Sequence, residues 1–77
     1  MREWSGYRKY AEPRKAVLYV EGVAYDVWVL RERRGRYEVR LAEHYPKETA
    51  VKPNSDSQRV LRPGKVVSVP VTMVELL

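Results

Sequence analysis

Lys15-Ala-Val-Leu-Tyr-Val-Glu21, Val23-Ala-Tyr-Asp-Val-Trp-Val-Leu30 and Arg36-Tyr-Glu-Val-Arg-Leu-Ala42 are three runs rich in Val and Tyr, separated by Glu21-Gly22 and by Arg33-Arg34-Gly35. Such runs favour strands and such separators favour tight turns, so residues 15–42 read as two consecutive β-hairpins. Register is testable on the sequence, because residues opposed across an antiparallel pair share one face of the sheet. A two-residue turn at Glu21-Gly22 pairs Val20 with Val23, Leu18 with Tyr25 and Ala16 with Val27. A three-residue loop of Arg33, Arg34 and Gly35, with Gly35 at the left-handed bulge position, pairs Glu32 with Arg36, Val29 with Val39 and Val27 with Leu41. The two turns are placed independently, yet both set Tyr25, Val27 and Val29 on one face.

That face carries Ala16, Leu18, Val20, Val23, Tyr25, Val27, Val29, Tyr37, Val39 and Leu41, and is the expected core. The opposite face carries Val17, Tyr19, Ala24, Asp26, Trp28, Leu30, Glu38 and Arg40. It is too apolar for an ordinary solvated face, so it is either covered or a contact surface. Asp26 is expected to pair with the diagonal Arg40, and Trp28 to face Arg40 as a cation-π pair or as part of a base-stacking platform.

On the N-terminal side, Trp4, Tyr7 and Tyr10 recur every three residues and predict either a short helical turn within Arg2–Glu12, weakened by Gly6 and ended by Pro13, or an irregular arm. On the C-terminal side, Glu43 to Gln58 holds two prolines and an Asn-Ser-Asp-Ser cluster and reads as a long loop. Arg59–Arg62 suits a short strand, and Pro63-Gly64 the centre of a type II turn. Lys65 to Leu77 alternates Val67, Val69, Val71 and Met73 against Ser68, Pro70 and Thr72. Pro70 makes it an edge strand or a strand broken in the middle. The fold expected is an all-β, five-stranded, partly open small barrel or rolled sheet, SH3-like or OB-like, with one short N-terminal helical turn.

Seventy-seven residues suffice for a single small domain, 1–77. There is no cysteine, so packing alone must supply its stability. No apolar run is long enough to span a bilayer and the N-terminus lacks a signal-peptide pattern, which predicts a cytoplasmic protein with no membrane partner. The formal charge is +5 with a pI near 9.7, and ten of the fifteen cations are arginine. Residues 1–40 hold ten basic and six acidic residues; residues 41–77 hold five and four. The few amides, Asn54 and Gln58, the lack of Cys and the many ion-pairing residues also give a thermophile-like composition.

An enzyme is not expected. His44 is the single histidine, no serine sits at a glycine-flanked elbow, and the four glycines are isolated at turn signals rather than grouped in a phosphate loop. No metal or cofactor is expected either: His44 and Glu48 are interrupted by Pro46 and have no third ligand, and His44 reads as a solvent-exposed loop residue. Arg31, Arg33, Arg34 and Arg36 fall within six residues at the second hairpin tip, where they suit a phosphate backbone. Arg40 and Trp28 on the second face, and Arg8, Lys9, Arg14 and Lys15 interleaved with aromatics near the N-terminus, extend that surface. An arginine-tipped hairpin of this kind resembles the architecture of small archaeal chromatin proteins, although no diagnostic motif of a family matches. The expected activity is sequence-tolerant binding of nucleic acid, DNA or RNA. The rival is a protein-interaction module or homodimer joined through the apolar face or the edge strand near Met73–Leu77.

Overall fold

A computed structural model describes residues 7–53 and 59–77, with side chains from Glu12 onward. Five antiparallel strands form one sheet: β1 (Tyr7–Val20), β2 (Val23–Arg33), β3 (Arg36–Leu41), β4 (Val67–Pro70) and β5 (Val74–Leu76). The order across the sheet is β4-β3-β2-β1-β5, so β4 and β5 are its two edges and it does not close. Those edges are joined by only one 3-10 turn, Val71–Met73. Four strand spacings of about 4.8 Å would put the edges of a flat sheet about 19 Å apart. Four residue steps reach at most about 14 Å, and fewer in a 3-10 turn, so the sheet must roll up. Pro70 sets the break in the expected C-terminal strand, and the alternation through Val71 and Met73 stops there.

The first hairpin has the predicted register: Val20 opposes Val23, Leu18 opposes Tyr25 and Ala16 opposes Val27. Glu21 (φ 50°) and Gly22 (φ 82°) both lie in the left-handed region, the signature of a type I′ turn, whose twist matches that of the strands. In the second hairpin Val29 opposes Val39 and Val27 opposes Leu41, as expected, but the tip differs. The loop is a two-residue type I′ turn of Arg34 (φ 51°) and Gly35 (φ 76°), Arg33 opposes Arg36, and Glu32 opposes Tyr37 rather than Arg36. The extra residue has moved into the ladder as a β-bulge at Leu30, between the Val29–Val39 and Arg31–Glu38 pairs.

The N-terminal segment corrects a second expectation. From Tyr7 it is strand, not helix, and it pairs Tyr7, Arg8 and Lys9 with Arg33, Glu32 and Arg31. Trp4 lies outside the described residues. Between Lys9 and Arg14 the register slips, and Pro13 sits in that irregular stretch, where no ladder donor is required.

The concave side buries Ala16, Leu18, Val20, Val27, Val29, Val39 and Leu41, as expected, together with Val67 and Val69. Val51 and Leu61 complete it, bridging through N–H to C=O bonds of 2.9 and 2.7 Å. The segment read as a loop therefore supplies part of the core, and the strand expected at Arg59–Arg62 is reduced to that single bridge. Val23, at the end of its strand, is 49% exposed, and Tyr25 and Tyr37 pack against the rim of the core. Pro63-Gly64 is the expected turn, with Gly64 at φ 85° and Lys65 N–H donating to Arg62 C=O (2.9 Å). No helix among the described residues is long and apolar enough to cross a membrane.

Candidate nucleic-acid interface

The Leu30 bulge decides what the convex face presents. Side chains alternate along a strand, so without the bulge Arg31 and Arg33 would follow Val29 onto the concave side and Glu32 would point outward. With one residue inserted the alternation is reversed beyond Leu30. Arg31 and Arg33 share a face with their partners Glu38 and Arg36, and that face continues through Trp28 opposite Arg40. Four of the ten expected binding residues, Arg31, Arg33, Arg36 and Arg40, thus align on the β2–β3 ladder with a fifth, Trp28.

The tip is held rather than free. Arg36 Nε donates to Ser68 Oγ (2.8 Å) and its Nη2 to the Ser68 carbonyl (3.1 Å), while Val71 N–H donates to the Gly35 carbonyl (3.0 Å). Arg36 therefore reaches across to β4, and the turn is stapled to the 3-10 turn. Arg31 Nε lies 3.4 Å from Glu38 Oε1, an ion pair without hydrogen-bond alignment. Arg34 occupies the exposed first position of the turn. Fixing guanidinium groups before a ligand arrives removes part of the ordering entropy that binding otherwise costs.

Deeper along the ladder, Glu43 lies between the two members of the Trp28–Arg40 pair. Trp28 Nε1 donates to Glu43 Oε1 and Arg40 Nη1 to Glu43 Oε2, each at 3.1 Å. The Glu43 pKa is lowered, first by a hydrogen bond from its own backbone N–H and then by those from Arg40 and Trp28. Arg40 is thereby engaged by Glu43, and the expected Asp26–Arg40 pair does not form. Asp26 faces His44 instead (Oδ2 to Nε2, 3.5 Å), its backbone N–H donates to Tyr45 Oη (2.7 Å) and its carbonyl accepts from Ala42 N–H (3.0 Å). The Tyr45 hydroxyl thus satisfies a β2 donor just past Leu41, where β3 ends. His44, exposed as expected, stacks on the Tyr45 ring with centroids 4.3 Å apart.

Of the remaining expected residues, Lys15 opposes Trp28 and belongs to the same face, whereas Arg14 opposes Val29 and is out of step with it. The backbone register sets Lys9 opposite Arg31 and Arg8 opposite Glu32; their side chains lie outside the described ones. Glu43 and Ser68 are the partners of these arginines that sequence reasoning missed. Glu43 carried a signal, an acid three residues after Arg40 at a strand end, but Ser68 depends on strand pairing across many residues and carried none.

Compared with known proteins, the chain matches no family model, no curated protein and no solved structure.

Proposed function

We propose that this chain is a non-catalytic nucleic-acid-binding domain that grips the phosphate backbone of DNA or RNA without strong sequence preference. The observation that carries the reading is the Leu30 bulge, which sets Arg31 and Arg33 on the face of Arg36 and Arg40. A bulge that re-aims side chains at one end of a sheet is a recurrent device beside functional sites. Arginine suits the ligand because its planar fork engages phosphate oxygens two at a time. Partly buried Trp28 adds an aromatic surface at the end of the arginine row. Contacts of this kind go to phosphates, which position a protein but read no base, and no array of amide side chains for base edges accompanies them among the described residues. Strand order and the 3-10 turn before β5 support an SH3-like description of the barrel, and a cytoplasmic location is compatible with the ligand proposed.

The second reading, a homodimer or protein-interaction module, is favoured by Tyr19 (46% exposed), Val23 and Leu77, which expose large apolar side chains away from the arginine tip. Salt separates the two, since phosphate contacts weaken steeply as it rises and apolar contacts do not. The test is a titration of the chain with single- and double-stranded DNA and RNA at two salt concentrations. Binding that collapses at the higher salt supports the proposal; no binding to any of the four ligands overturns it.

A further inference from the structure

Halfway along the convex face, one cationic and one neutral N–H donor converge on a single carboxylate, each taking a different oxygen at 3.1 Å. Arg40 and Trp28 are directly opposed in the ladder, so both side chains rise from neighbouring points on the same face. Two donors held apart by the width of an oxyanion form a receptor for one, and carboxylate and phosphate present the same paired oxygens to it. The group that fills it is Glu43, in the turn after β3, with 67% of its side chain exposed. Glu43 can therefore leave without unpacking the core.

We infer that Arg40 and Trp28 form a subsite for one nucleic-acid phosphate, and that Glu43 occupies it in the free protein as an internal competitor. This rests on the function proposed above and adds where along the face a phosphate is bound and what it must displace. Arg36 and Arg40 are four residues apart on β3, about 13 Å, so a backbone held at the tip and following the strand passes over the subsite. A cavity of about 390 Å³ beside Trp28, lined also by Lys15, Asp26, Glu43 and His44, leaves room for the carboxylate to move, with Lys15 as a cation and Asp26 as an anion beside it. The inner subsite is thus gated by the chain's own anion, whereas the tip arginine Arg36 is engaged by the neutral Ser68 and has no such competitor among the described residues.

Glu43→Gln tests the inference against Glu48→Gln, which removes the same charge from an exposed position in the 43–53 segment. Affinity for one mixed-sequence oligonucleotide, in single- and double-stranded form, is measured for both variants in the native chain and again with Arg40→Gln. Freeing a charged phosphate contact should tighten binding about fivefold or more in Glu43→Gln, against less than about twofold for Glu48→Gln. With Arg40→Gln present the advantage of Glu43→Gln over Glu48→Gln should shrink to less than about twofold, because Glu43 then blocks only the neutral Trp28 donor. Thermal unfolding of every variant separates folding from binding, and a merely destabilised Glu43→Gln would bind worse in both backgrounds. Equal effects of the two substitutions, or weaker binding by Glu43→Gln, overturn the subsite while leaving the wider proposal standing. No binding by the native chain or any variant overturns both.

Discussion

The two hairpins share a turn and differ in almost everything that follows from it. Each closes through a two-residue type I′ turn with glycine second, Glu21-Gly22 in one and Arg34-Gly35 in the other. The first keeps an unbroken ladder from Val20–Val23 to Lys15–Trp28, and its alternation simply buries one face. The second interrupts its ladder at Leu30 and so turns Arg31 and Arg33 outward. Its tip is also tied to the C-terminal strand through Arg36–Ser68 and Gly35–Val71. One identical turn thus serves packing at one end of the sheet and presentation of charge at the other. The single inserted residue makes that difference.

That contrast is open to attack at several points. In the first hairpin, Leu18 is fully buried, and Leu18→Ala should lower unfolding free energy by about 2–5 kcal/mol in a denaturant titration. Leu30, half-exposed at the bulge, should lose much less when truncated to alanine, under about 1 kcal/mol. Equal losses would mean that Leu30 is packed as a ladder residue and that the bulge is misplaced. Next in size are the turns. A Cβ at Gly22 or Gly35 would meet nothing within 4 Å, so only the left-handed φ opposes it. Gly22→Ala and Gly35→Ala should each lower stability by about 1–2 kcal/mol. The penalties should match, while only Gly35→Ala should disturb nucleic-acid affinity.

What was legible beforehand divides along the same line. The concave face could be read because a period of two and two tight turns over-determine register, so Val27, Val29, Val39 and Leu41 fell into place. The bulge was expected at Gly35, the residue that most readily takes a left-handed conformation, but a type I′ turn uses that same property. The extra residue then had to be absorbed at Leu30, where no glycine marks it. Tyr7 and Tyr10 at a helical spacing misled because one edge of β2 offered ladder partners that propensity does not see. Val51 and Leu61 escaped notice for a similar reason, since a single bridge between distant residues leaves no periodic trace.

Smaller effects probe the 43–45 turn, which leans on the unbulged end of β2. Tyr45→Phe removes the acceptor of the Asp26 N–H and should lower stability by about 1 kcal/mol, with no change in affinity. The smallest effect is that of acid. The folded-state pKa of Glu43 is depressed below its ordinary value of 4.5, so its contribution to stability is complete above that value and lost as pH falls through the folded pKa. An acid titration of Glu43→Gln should lack this component, visible as a slightly flatter stability profile below pH 4.5.

A phosphate-binding row created by the bulge should show itself in the salt dependence of binding. Arg31→Gln with Arg33→Gln removes two charges from the row; Lys47→Gln with Lys52→Gln removes two from exposed positions in the 43–53 segment. The slope of log affinity against log salt should fall by about 2 for the arginine pair, roughly 0.9 per phosphate contact, and stay unchanged for the lysine pair. Equal changes for both pairs, or an unchanged slope for the arginines, would rule out the row, because net charge alone or another surface would then hold the ligand.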